Sequence, residues 1–379
     1  MTYILSIPAR INILGNPGDA NEGDFATITA AVELRATAIV EDSSSLILEM
    51  KPERESPPSC RLELPAGQHP LPYDGQLDLL KGAVNRLYAY SPEFRQKYAC
   101  QGVRITVWSE VPRQSGLGGS SLFILLALAG LRLRYDLDPR IHNDYVLSEL
   151  TQRVEGKDLG IACGFADRYV PLFGGLAYLD YRGKLYHHDL HQEPYVTYER
   201  LDSHLPKNLE QVFPLVAICT GIQHDSGDVH GRMRPRYLEE HDAWVARGGP
   251  PPPMVRFMSA AWETAWRGKI ALLQGNLAMF GQQMNENHRL VNAMMVYCGF
   301  DEGAGWANNL CIQTALANGA MGAKLTGAGG GGSVFALVRP GEQEKLVKIW
   351  ERTASQAGLN EASVYIPRIA KQGLIIKRS

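Results

Sequence analysis

A chain of 379 residues exceeds the size at which one hydrophobic core usually keeps growing, so two lobes are the expected organisation. Its 45% hydrophobic and 21% charged residues are ordinary globular usage and exclude a disordered or fibrous chain. A formal net charge of −2 excludes a dedicated nucleic-acid binder, whose phosphate-facing surface needs a large positive excess.

Tyr3 to Ile7 reads as a strand, and no basic stretch followed by a long apolar run marks a secretion signal. A turn follows over Gly15-Asn16-Pro17-Gly18-Asp19, then the β-favouring stretch Ala36 to Val40. Val103, Ile105 and Val107 alternate with Arg104 and Thr106, which predicts a half-buried strand. That strand leads into Pro112-Arg113-Gln114-Ser115-Gly116-Leu117-Gly118-Gly119-Ser120-Ser121 and then into Leu122 to Leu131, the longest apolar run. The run stops at Arg132, about half of what a membrane span requires, so it predicts a buried helix and no membrane partner.

Asn143 or Asp144 caps a predicted helix whose Val146, Leu147, Leu150 and Val154 share one face, bringing Glu155 to its C-terminal end. A loop is expected from Gly160 to Gly175, and Leu215 to Cys219 reads as the opening strand of the second lobe, giving lobes of 1–205 and 206–379. Arg247-Gly248-Gly249-Pro250-Pro251-Pro252-Pro253 breaks two helical stretches. Helix dominates to about Ala320, and Lys324 to Val338 returns to turn and strand. Cysteines at 60, 100, 163, 219, 298 and 311 show no CxxC spacing, which argues against a zinc or dithiol site and for a reduced, cytoplasmic setting.

Four segments carry chemistry. In Pro8-Ala9-Arg10-Ile11-Asn12-Ile13-Leu14-Gly15-Asn16-Pro17-Gly18-Asp19 an arginine offers fixed donors and an aspartate a polyol acceptor, although the turn taken alone reads more readily as a surface turn with two solvated charges. The central glycine turn delivers two hydroxyls to a helix N-terminus, where backbone amides and the helix dipole can hold a polyphosphate; glycine and serine are also ordinary cap residues. Glu155, with Gly160, Gly164, Asp167 and Arg168, brackets a loop with two carboxylates, one suited to Mg²⁺ and one to accepting a proton. Finally, Lys324-Leu325-Thr326-Gly327-Ala328-Gly329-Gly330-Gly331-Gly332-Ser333 has more glycine than packing explains, which points to close backbone approach to a ligand.

These three glycine-bearing segments, in this order, resemble the GHMP kinase superfamily: the P-x-[RK]-x-N-[LI]-x-G turn, the P-x-x-x-G-L-G phosphate loop and the late glycine loop. The resemblance implies an α+β, two-lobed GHMP kinase fold, with an N-terminal lobe like domain 2 of ribosomal protein S5 and a ferredoxin-like C-terminal lobe. It implies ATP and Mg²⁺, with Pro112, Gly116, Leu117, Gly118, Gly119, Ser120, Ser121, Gly329 and Gly330 around the nucleotide, and Ser120 and Glu155 on the metal. Asp167 takes the place of the catalytic aspartate, Arg10 that of the basic residue beside it, and Asp19 that of the substrate-facing aspartate. Asp225-Ser226-Gly227-Asp228-Val229-His230, Arg234 and Ala166-Asp167-Arg168-Tyr169 are further similar to glucuronate-phosphorylating members, which adds Arg168, Asp225, Ser226 and Arg234 as substrate candidates. Arg232 and Arg236 are further candidates for a substrate carboxylate. Another sugar, a heptose phosphate or a mevalonate-type alcohol stays open as acceptor, as does a non-catalytic sensor on the same fold. The expected partners are a small-molecule sugar and ATP, and the expected state is a monomer or homodimer.

Overall fold

The computed structural model describes all residues except 21–24, 113–114, 162, 185–189, 191–193, 206–212, 223–225 and 379. The first part of the chain supplies β1 (Thr2–Leu14), β2 (Ala26–Ser43), β3 (Ser45–Met50), β4 (Cys60–Pro65), β5 (Gly102–Ser109), β6 (Leu176–Asp180) and β7 (Thr197–Arg200). Its helices are α1 (Asp78–Tyr90), α2 (Pro92–Tyr98), α3 (Gly119–Arg134), α4 (Asp144–Arg153) and α5 (Ala166–Phe173). The remainder supplies β8 (Leu215–Cys219), β9 (Gly322–Thr326), β10 (Ser333–Leu337), β11 (Ser363–Tyr365) and β12 (Ile375–Arg378). Between and beside these lie α6 (Ser226–Arg247), α7 (Pro253–Leu273), α8 (Leu277–Tyr297), α9 (Trp306–Ala317) and α10 (Gln343–Gln356).

One sheet has the order β12-β1-β2-β5-β3-β4, with β6 also on β2 and β7 on β6; the other has the order β11-β8-β10-β9. The chain's end thus returns to its beginning, with Tyr3 opposite Arg378 and Ser6 opposite Ile375. β1 extends well past the predicted Ile7 because Ile7 to Leu14 are buried on both faces, which leaves no polar alternation to read. Its register against β2 shifts between Asn12 and Leu14, a bulge that re-aims the strand just before the polar turn.

α3 lies across the first sheet with Leu122, Ile124 to Ala129 and Leu131 inaccessible to solvent. At Gly130 the helix comes so near β2 that a Cβ would lie 2.6 Å from Val40 Cγ2, so the sheet admits only a side-chain-free residue there. The predicted cap of α4 is present: Val146 donates its N–H to Asn143 Oδ1 at 3.1 Å. The helix then widens into a π turn, Val154–Asp158, which carries Glu155. Among the described residues no helix is long and apolar enough to cross a membrane.

Candidate active site

β1 delivers Arg10 to the junction of the two lobes. Arg10 donates Nε–H to Asp167 Oδ1 at 2.6 Å and Nη1–H to the Gly116 carbonyl, while its own backbone N–H donates to Leu117 O at 3.3 Å. One arginine therefore ties the carboxylate at the start of α5 to the central glycine turn. Burial raises the Asp167 carboxyl, but Arg10 and Arg168 outweigh it, with a smaller contribution from His230, and hold the group below its ordinary range. Asp167 is accordingly ionised at neutral pH.

Asp19 sits in a single 3₁₀ turn, Gly18–Ala20, and caps α5 from outside the helix: Phe165 donates to Asp19 O and Ala166 to Asp19 Oδ2, each at 3.1 Å. A Cβ on Gly164 would overlap that carboxylate, so glycine is required for this approach. Burial and the neighbouring Asp167 push the Asp19 carboxyl up to about 6. A raised carboxyl favours the folded state below the ordinary carboxylate range, and that contribution is lost as pH rises through about 6. Asp19→Asn is therefore expected to melt higher than wild type above pH 6, by roughly 2–3 kcal/mol at most, with the gap closing towards pH 4. Melting curves of the two proteins across that range check the sign, and a gap that widens on acidification refutes it.

Gly118 adopts φ +80° ahead of α3 and provides no side-chain cap, so the first N–H groups of that helix stay available to an anion. Ser120 and Ser121 donate their hydroxyls to Glu155 Oε1 and Oε2 at 2.6 and 2.8 Å. Arg168 donates from behind to Glu155 Oε2 and is wholly buried. This corrects the expectation that Arg168 meets substrate: its guanidinium neutralises Glu155 and does not line the cavity. Ser121 is likewise buried beneath the turn, whereas Ser120 and Glu155 both line it.

The late glycine loop closes on the central one. A Cβ on Gly116 would lie 2.8 Å from Thr326 O, and one on Gly327 would lie 3.0 Å from Gly116 Cα, so the two loops meet backbone to backbone. Asn12 donates its backbone N–H to Thr326 Oγ1 at 3.0 Å, and Asn16 donates its amide to Gly327 O at 3.3 Å. Lys324, fully buried, donates to Asn16 Oδ1 and to Leu325 O, each at 2.7 Å. Gly327 and Ala328 line the cavity, not Gly329 and Gly330. Gly330 donates its N–H to Ala304 O at 3.0 Å, and a Cβ on Gly329 would press on Met295 Sδ at 2.8 Å, so those two glycines serve the loop's own packing.

All of this surrounds a cavity of about 1250 Å³. Met50, Lys51 and Cys60 around the β3–β4 hairpin, Gln76 ahead of α1, Phe123 on α3, and Arg10, Asp19, Asp167 and His230 all line it. Pro112 and Gly116 to Gly119 complete the lining. Cys163 also lines it, but burial pushes its thiol up to about 12, so it is no nucleophile at neutral pH. Arg234 does not line the cavity. Arg232 and Arg236 also lie off it and pair with Asp228 and Glu240 on α6 itself. Asp225 and the side chain of Ser226 lie outside the described residues. His230 and Lys324 were not singled out in the sequence, because only the fold brings α6 opposite Asp167 and β9 beneath Asn16.

This two-lobed α+β arrangement is that of the GHMP kinases. The chain belongs to that family: residues 78–175 match the model of the GHMP kinases N terminal domain and residues 269–356 that of the GHMP kinases C terminal domain. It is 28% identical to probable glucuronokinase 2 of Arabidopsis thaliana, over 92% of this chain and 87% of that protein. It is 24% identical to the D-glycero-alpha-D-manno-heptose 7-phosphate kinase of Campylobacter jejuni subsp. jejuni, over 90% and 91% of the two chains. The crystal structure of Lactococcus lactis galactokinase complexed with galactose shares the fold, with a TM-score of 0.74 at 19% identity over 99% of this chain and 95% of that one.

Proposed function

We propose that this protein is an ATP-dependent sugar kinase that transfers the γ-phosphoryl group to the anomeric hydroxyl of a uronate such as glucuronate. The observation that carries the reading is the pairing of two centres across the central glycine turn: Arg10 with Asp167 on one side, Ser120 with Glu155 on the other. The relatives named for glucuronate and heptose 7-phosphate support a sugar as acceptor.

The N–H groups at the start of α3, which no side chain caps, and the side-chain-free turn at Gly116 and Gly118 fit a polyphosphate, since no Cβ stands between backbone donors and an anion. Ser120 and Glu155 offer the hard oxygens that Mg²⁺ prefers. Among the described residues no group of three His, Cys, Asp or Glu could hold a metal. The serine and glutamate would therefore share the ion with phosphate oxygens and water. Bound there, Mg²⁺ supplies neutralisation of the charge on the transferred group.

Asp167, held ionised by Arg10, accepts the proton of the attacking hydroxyl or orients it. Arg10 keeps the carboxylate aimed and places a cation beside the glycine turn, where negative charge moves during transfer. Asp19, anchored on α5, lines the cavity with a carboxyl that can accept from sugar hydroxyls.

Release of ADP with Mg-ATP, measured against free uronates, neutral hexoses, heptose phosphates and mevalonate, tests the assignment. Glucuronate is expected to exceed the other acceptors many-fold in kcat/KM. A heptose phosphate or mevalonate in first place would move the acceptor, and no turnover of any compound despite ATP binding would leave a nucleotide sensor.

A further inference from the structure

We infer that Lys324 is a positioning residue for the transfer: from β9 it fixes the Asn16 amide, and through it the turn that carries Asp19, against the late glycine loop. The inference rests on the sugar-kinase reading above and on no particular sugar.

Lys324 is fully buried and belongs to the second sheet, yet its amine reaches the end of β1 in the first. Its Nζ donates to Asn16 Oδ1 and Leu325 O, each at 2.7 Å, and to Asn12 O at 3.4 Å. These acceptors, all neutral oxygens, match the donors of one ammonium group. Burial pulls the amine well below its ordinary range. A methionine would fill similar space without that desolvation cost, so packing alone does not account for a lysine here. What the lysine adds is direction. Because it only donates, it turns Asn16 Oδ1 towards β9 and leaves Asn16 Nδ2 to donate to Gly327 O, at 3.3 Å.

Asn16 is also held from α8, where wholly buried Asn287 donates to its backbone carbonyl at 3.2 Å. The turn moves as a unit, since Gly18 donates its N–H to Gly15 O and Ala20 to Pro17 O, both at 2.9 Å. Asn16, Asp19 and Gly327 line the cavity, and Gly327 meets Gly116 of the central turn backbone to backbone. A sugar on the Asp19 turn is therefore aligned with a phosphate on the central turn by way of Asn16. Lys324, which does not line the cavity, sets that alignment from beneath.

Steady-state kinetics with the best acceptor of the panel above, and ADP binding by calorimetry, are compared in wild type, Lys324→Met, Asn16→Ala and the double variant. KM and Kd do not depend on the active fraction, so incomplete folding does not distort them. Lys324→Met is expected to raise the acceptor KM on the order of tenfold, the usual worth of a hydrogen bond, with the Kd for ADP within about twofold of wild type. Asn16→Ala is expected to raise the KM at least as much, and adding Lys324→Met to it to change the KM by no more than about twofold, since the lysine acts through that amide. A rise that recurs in the Asn16→Ala background, or an equal loss of ADP affinity, would make the lysine a general support and overturns the inference. If Lys324→Met does not fold, Asn16→Ala breaks the same link from the other end, and an acceptor KM there within about twofold of wild type overturns the inference. Each of these results leaves a sugar kinase standing. Wild type that phosphorylates no sugar removes that reading, and this inference with it.

Discussion

Asp167→Asn is expected to lower phosphoryl transfer by about a thousandfold while leaving nucleotide affinity within a few-fold of wild type. Asparagine keeps an oxygen that can accept from Arg10 Nε, so the guanidinium stays aimed and the Gly116 carbonyl stays held. What is lost is the negative charge that Arg10 and Arg168 maintain at this partly buried position. Asparagine cannot take a proton, and its amide presents a donor where the acceptor hydroxyl needs an acceptor. Steady-state transfer and ADP binding by calorimetry separate the two effects. Transfer within threefold of wild type would remove Asp167 from the chemistry, and a parallel loss of ADP affinity would make its role one of loop support.

Glu155→Gln carries the second large effect, and it falls on stability as well as on activity. Glu155 receives Ser120, Ser121 and the wholly buried Arg168. Replacing the carboxylate removes the hydrogen-bonded counter-charge of a buried guanidinium, which typically costs about 3–5 kcal/mol. It also removes an anionic oxygen from the proposed metal position. Transfer is expected to fall by about 100-fold or more and to require more Mg²⁺. The double variant Glu155→Gln with Arg168→Gln is expected to recover most of the lost stability, since no buried charge is then stranded, yet none of the metal dependence. A single variant that melts within a degree of wild type would show that the buried pair contributes little.

The legibility of this chain follows from how far apart interacting residues lie. The helix predicted over Leu122 to Leu131 is the middle of α3, because an uninterrupted apolar run between a glycine turn and two arginines has few other solutions. Leu215 to Cys219 is β8 residue for residue, and Asn143 caps α4 as its sequence proposes. β12 is not legible by contrast: Ile375 to Arg378 is too short a run to read as a strand until it pairs with β1, more than 360 residues away.

The candidate site divides in the same way. Arg10, Asp19, Ser120, Glu155 and Asp167 stand in short segments that the sequence and its resemblance to the family single out as candidates. The partnerships between them are not legible there. Arg168 neighbours Asp167 in sequence and was expected to face substrate, but one helical step turns it away from the cavity and onto Glu155. Gly327 and Ala328 line the cavity in place of Gly329 and Gly330, because the later glycines answer to Ala304 and Met295.

By itself the sequence determined the glycine turns and the types of side chain available for phosphoryl transfer. Periodicity and turn chemistry are local properties, written within a dozen residues. The tertiary structure alone decided that one arginine binds both the Asp167 carboxylate and the central glycine turn, that two glycine loops interlock, and that a histidine from α6 lines the same cavity as Asp167. Those are long-range juxtapositions, selected by packing two cores against each other, and no short segment of the chain encodes them.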